Sequence, residues 1–207
     1  MFVVNDQSRA VRHRFQLISA GALALGLASL LVFAGRADAL LPWRQCGGNV
    51  KWGHPSVTWV NAGFGYGGSA TNAANSWNAG TSNVDFAQTY PGTYPDITEL
   101  RIEHFPTNNS GSFFAPACSG GLWTGSGRIE VDLDAGTGAY RVQGTSAHEL
   151  GHALGLTDNW LSFNCTYGDP GYYSIMYGSA AKFNGYCAIN GPQTQDFGSV
   201  NEVYNGK

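Results

Sequence analysis

The stretch HELGHALGLTD holds two histidines four residues apart, His148 and His152, with Glu149 beside the first. Gly155 follows three residues after the second histidine and Asp158 three further on. On an α-helix, residues four apart project from nearly the same side one turn apart, so both imidazoles can turn a nitrogen toward one ion. Zinc accepts such a pair, at about 2.0–2.1 Å from each nitrogen. Glu149 lies about 100° round the helix from His148. It can therefore sit beside the ion, where a general base for a zinc-activated water belongs. A catalytic zinc usually has three protein ligands and an open position, so a third ligand must come from outside this pair. Gly155 can take the left-handed conformation that reverses the chain, and Asp158 could then return as a carboxylate ligand. The ordinary alternative for Asp158 is a cap or loop carboxylate. His54 and His104 stand far back on strand-like segments.

Helix and sheet must position these groups. Thr145 or Ser146 can start the histidine helix and Gly155 can end it, with Leu150, Ala153 and Leu154 as the apolar side that packs on a sheet. Strands are expected at Ser56 to Asn61, Val84 to Gln88 and Leu100 to Phe105. The clearest is RIEVDLD, where Ile129, Val131 and Leu133 alternate with charged residues. Ser69 can cap an earlier helix carrying Ala70, Ala73, Ala74 and Trp77 and running to about Ala79. Pro192 opens a closing helix with Phe197, Val200 and Tyr204 along one face. Residues 159 to 190 have little periodicity and read as a long irregular segment, which in a compact domain tends to be functional.

Ahead of this lies a different kind of sequence. Arg9, Arg12 and Arg14 precede an uncharged apolar run from Phe15 to Ala34, and Ala37-Asp38-Ala39 has the small-residue pattern of a signal-peptidase site. Residues 1–39 therefore read as a cleaved export signal, with an uncleaved membrane anchor as the alternative. Residues 40–207 suit a single domain with a proper core. The chain carries a net charge of −3 and no basic patch, which argues against a nucleic-acid partner. Trp52, Trp59, Trp77, Trp123 and Trp160 are spread through patterned segments and argue for a folded, loop-rich domain. Cys46, Cys118, Cys165 and Cys187 are even in number and follow the signal, so two disulfides are expected, in any of three pairings.

HELGHALGLTD resembles the long zinc motif of the metzincin metalloproteases, HExxHxxGxxH or HExxHxxGxxD. SIMYG, Ser174 to Gly178, resembles their Met-turn, which implies that Met176 packs beneath the histidine ligands. The order of elements is similar to the matrixin branch, from KWGHPSVTWV through an Ala/Trp helix, an edge strand RIEVDLD, the zinc helix and the Met-turn to a closing helix QTQDFGSVNEVYNG. Matrixins use a third histidine where Asp158 stands here, an aspartate that resembles the small secreted proteases of the snapalysin type. The extra histidines of a second, structural zinc site are missing. Tyr177 directly follows Met176 as in matrixins, which implies a pocket-wall role and not a ligand. RQCGG, Arg44 to Gly48, resembles a matrixin cysteine switch, but the even cysteine count and the short span before Trp52 argue against one.

The resemblance implies an α+β, metzincin-like domain: a twisted mixed sheet, a zinc-binding active-site helix, a Met-turn and a C-terminal helix. It also implies a secreted, monomeric zinc endopeptidase with one catalytic zinc on His148, His152 and Asp158 and with Glu149 as base. The expected cleft lies between RIEVDLD and the wall after Met176, with an extended substrate peptide adding to the sheet edge. No membrane association is expected once the signal is cleaved. Asp132 and Asp134 could hold calcium, although acidic residues on the polar side of a strand are commonly just solvated. A Cys165–Cys187 bridge would close a loop around Met176, leaving Cys46 to join Cys118. The rival function is a zinc-holding, non-proteolytic module that grips a peptide, glycan or surface. Retention of Glu149 speaks against it, since a structural zinc needs no base.

Overall fold

The structure, a computed structural model, describes residues 50–62, 67–81, 83–90, 92–102, 110–133, 138–158, 174–176 and 189–205. All fall within one compact unit, Asp38–Lys207. The expected signal lies outside the described residues. In chain order the elements are β1 (Ser56–Asn61), α1 (Gly67–Asn78), β2 (Asp85–Gln88), β3 (Ile97–Ile102), β4 (Gly111–Phe114), β5 (Ala117–Ser119), β6 (Leu122–Thr124), β7 (Gly127–Asp132), α2 (Ala139–Ala153) and α3 (Thr194–Asn205). Five strands form one mixed sheet in the order β2-β1-β3-β7-β4. The first four run parallel, and β4 pairs antiparallel with β7. The chain is α+β, with α2 packed against α1, β4 and β7. Among the described residues, no helix is long and apolar enough to cross a membrane.

One expectation needs correction. RIEVDLD is not an edge strand: β7 lies between β3 and β4, and among the described residues the edge on that side is β4, the short segment GSFF. Alternation reports the two faces of a strand, not whether it has a neighbour on each side. In β7, Ile129 and Val131 are buried while Arg128 points to solvent and pairs with Glu130 at 2.9 Å. The wet residues therefore mark a wet face of an interior strand. Between β4 and β7 the chain makes the β5–β6 hairpin, which the sequence reading did not include. Gly120 (φ 57°) and Gly121 (φ 80°) supply the left-handed conformations of its tight turn.

Helix boundaries differ as well. Thr145 and Ser146 do not start α2; they are buried inside it, and the helix begins at Ala139 after Gly138, which makes no side-chain cap bond. Thr145 fills space beside β4 instead of capping. Ser69 lies within the first turn of α1, not before it. β3 begins at Ile97, three residues ahead of the expected start. β1 occupies Ser56–Asn61 as read.

The core gathers Trp59, Trp77, Ile97, Ile129, Leu150, Leu154, Ile175 and Met176. Three indoles set the position of α2. Trp77 donates from Nε1 to the Ala147 carbonyl at 2.8 Å, while Trp52 and Trp123 donate to the Ala153 carbonyl at 3.0 and 3.3 Å. A buried indole N–H needs an acceptor, and the last carbonyls of a helix need donors. Both requirements meet at Ala153, in the last turn, while Trp77 bonds the mid-helix Ala147 carbonyl, so the tryptophans fix where along its axis the histidine helix sits.

Candidate metal centre

α2 ends in a turn that satisfies its last carbonyls and reverses the chain. Gly155 donates to the His152 carbonyl at 2.9 Å and Leu156 to the Gly151 carbonyl at 3.1 Å, the paired bonds of a Schellman motif. Gly155 has φ 94°, a conformation that a side chain strains, and a β-carbon there would stand 2.2 Å from the Val50 carbonyl oxygen. Both the dihedral and the packing exclude any other residue. The reversal buries Leu156, whose carbonyl accepts from His152 Nδ1 at 2.9 Å. It also carries Asp158 back over the helix.

His148 and His152 are 9% and 8% exposed, with ring centroids 4.7 Å apart and planes at 87°. His148 donates from Nδ1 to the Ile175 carbonyl at 2.8 Å. A carbonyl oxygen only accepts, so hydrogen sits on Nδ1 of both rings, and Nε2 is the nitrogen left on each to bind a metal ion. Asp158 Oδ1 lies 3.1 Å from His148 Nε2 and 3.6 Å from His152 Nε2. Among the described residues these three side chains form the group able to hold a metal ion, with one ligand atom each and all within 4.8 Å. A cation or a proton placed among these atoms would bridge them. Tetrahedral zinc with bonds near 2.0–2.2 Å separates neighbouring ligand atoms by about 3.3–3.5 Å. The observed separations bracket that value, so the donor set and its spacing fit zinc.

Glu149 is buried, at 5% exposure, on the side of α2 that faces β4. A β-carbon on Gly111 would approach its Oε1 to 3.1 Å and Thr145 Cγ2 to 2.5 Å. Bare glycine at the start of the edge strand thus leaves the room that the carboxylate occupies. Gly111 carries no signal of this in the sequence, because nothing in a lone glycine tells which side chain will need its space.

The third element of the centre is the turn Ser174–Met176, entirely buried. Met176 packs against Gly151, between the two histidines in sequence. A β-carbon on Gly151 would stand 2.2 Å from Met176 Sδ. Asp196, in the first turn of α3 and fully buried, holds this turn from the other side. Its Oδ1 accepts from the Ser174 hydroxyl at 2.7 Å, and its Oδ2 accepts from the backbone N–H of Ile175 at 2.8 Å and of Gln193 at 2.7 Å. Asp196 carried no recognisable signal beyond an acidic residue at a helix start, and Ser174 was marked only as the first residue of SIMYG.

Several expected site residues are not brought together here. Tyr177, Cys46, Cys165, Cys187 and Asp134 lie outside the described residues. Cys118, in β5, is disulfide-bonded; which cysteine it joins stays an expectation. Asp132 ends β7 and belongs to no metal-holding group among the described residues.

No family model matches the chain, and no curated protein is significantly similar to it in sequence. Among solved structures it is similar to that of myroilysin, at 15% identity and a TM-score of 0.47, over 76% of this chain and 97% of that one. At that identity and score the likeness says nothing about chemistry.

Proposed function

We propose that the protein is an exported, metzincin-like zinc endopeptidase. One observation carries the reading: His148 Nε2, His152 Nε2 and Asp158 Oδ1 converge at zinc-ligand spacing, with the Glu149 carboxylate buried one position along the same helix. His148, His152 and Asp158 would hold the ion, and the Nδ1 bonds to Ile175 and Leu156 keep both imidazoles in the tautomer that binding requires. Bound zinc supplies Lewis-acid polarisation of a carbonyl and acidifies a water. Glu149 would receive that water's proton on a carboxylate oxygen and return it to the leaving amine. Met176 beneath the helix would serve as the Met-turn methionine, and Tyr177 would shape the pocket wall.

Among the described residues β4 pairs on one side only, with β7, and an extended peptide could add to its other side. A peptide laid there would pass beside Glu149, since Gly111 begins that strand. The cleft assigned on sequence grounds to RIEVDLD therefore moves out to β4. Export is supported by the basic and apolar pattern of residues 1–39 and by the bonded Cys118.

The test is direct. The purified protein should contain about one zinc per chain, as the one three-ligand group among the described residues implies, and should cleave casein in a chelator-sensitive manner. Glu149→Ala should keep the metal and lose the cleavage. Undiminished cleavage by that variant would falsify the mechanism.

A further inference from the structure

A continuous hydrogen-bond path joins the buried carboxylate of Asp196 to the imidazole of His148. His148 donates from Nδ1 to the Ile175 carbonyl at 2.8 Å. The same peptide unit donates through Met176 N–H to the Ser174 hydroxyl oxygen at 3.1 Å, and that hydroxyl donates to Asp196 Oδ1 at 2.7 Å. Every donor along the path points toward the carboxylate. Bonds aligned in this sense polarise one another, and burial keeps water from screening them. Asp196 and Ser174 are both 0% exposed.

From this path we propose that Asp196 is a positioning residue for the metal centre. Through Ser174 and the Ile175–Met176 peptide, it fixes His148 as the Nδ1–H tautomer and raises electron donation from its Nε2. The proposal rests on the zinc reading above. Metal-ligating histidines commonly donate their second nitrogen to a carboxylate or a carbonyl, and such partners tune affinity by about 10–100-fold. Here the carbonyl is the direct partner, and the carboxylate acts one peptide and one hydroxyl behind it. His152 is oriented differently: its Nδ1 donates to the Leu156 carbonyl, four residues on in the same helix-end turn. The two ligands should therefore depend differently on α3.

Asp196 also bonds Ile175 N–H and Gln193 N–H, so Asp196→Asn disturbs the fold together with the path. Ser174→Ala is the cleaner break, because it cuts the path at the hydroxyl and leaves those two bonds in place. The experiment is competitive zinc titration of the full chain, accompanied by the visible absorption spectrum of the cobalt-loaded protein. Circular dichroism of the metal-free protein monitors folding. Ser174→Ala should keep the wild-type circular dichroism, weaken zinc binding about tenfold and shift the cobalt bands. Asp196→Asn should weaken binding at least as much. Zinc affinity within twofold of wild type and unshifted cobalt bands in Ser174→Ala would overturn the proposal. His148→Ala serves as the control: unchanged zinc affinity there would sink the zinc reading itself, whereas loss of binding there with none in Ser174→Ala would sink only the relay.

Discussion

His148 and His152 stand one turn apart on the same helix, yet different kinds of structure hold them. His152 is oriented by the Leu156 carbonyl, four residues away, through a turn that the helix itself generates at Gly155. His148 is oriented by the Ile175 carbonyl, 27 residues away, and that carbonyl is set in turn by Asp196, another 21 residues on. The first support closes a short loop and is available once α2 and its turn form. The second requires α3 and the Ser174–Met176 turn to be docked on the helix. Half of the centre is thus local and half depends on the assembled domain, so the two ligands should respond to different injuries.

The most damaging injury should be to the local half. Gly155→Ala combines a strained dihedral with backbone overlap at the Val50 carbonyl, and the expected loss is about 3 kcal/mol or more. Urea denaturation of the metal-free protein measures it, and a loss below about 1 kcal/mol would mean that the turn relaxes easily. Glu149→Gln separates chemistry from both supports. Turnover should fall about 10²–10⁴-fold, with zinc content and denaturation midpoint unchanged.

Asp158 tests whether the reversal at Gly155 serves the metal. Asp158→Ala should weaken zinc binding by about 100-fold, and Asp158→His should restore most of it, since imidazole and carboxylate both serve as zinc ligands. Wild-type affinity in both variants would remove Asp158 from the ligand set. The mildest change is Trp123→Phe. It deletes the longer of two indole bonds to the Ala153 carbonyl while Trp52 still donates there, so the cost should be about 1–2 kcal/mol with no change in zinc affinity. A large change in affinity would show that the axial position of α2 controls the centre more tightly than the histidine contacts do.

The difference between the two histidines also explains what could be read before any fold was known. Helical spacing brought His148, Glu149 and His152 to one side of α2, and Gly155 pointed to the chain reversal, because both depend on dihedrals of a few neighbouring residues. β1 and the buried face of β7 were legible for the same reason, since alternation is a local property. The sequence also named Met176, but through resemblance to a motif and not through any local rule. Its packing on Gly151 is a contact that spacing could not supply.

What only the tertiary structure decided are relations without a side-chain signature. That β4 and not β7 ends the described sheet on the side of the site was illegible, because backbone bonding in the sheet plane leaves no mark on residue type. Gly111 is needed for the space that Glu149 occupies, and Thr145 is a buried packing residue although its type suggested a cap. Asp196 looked like an ordinary acidic residue at a helix start until folding brought Ser174 and Ile175 onto its carboxylate. The residues that could bind an ion were thus determined by local sequence, and the groups that hold them in place were determined by which distant backbone amides and carbonyls burial left to be paired.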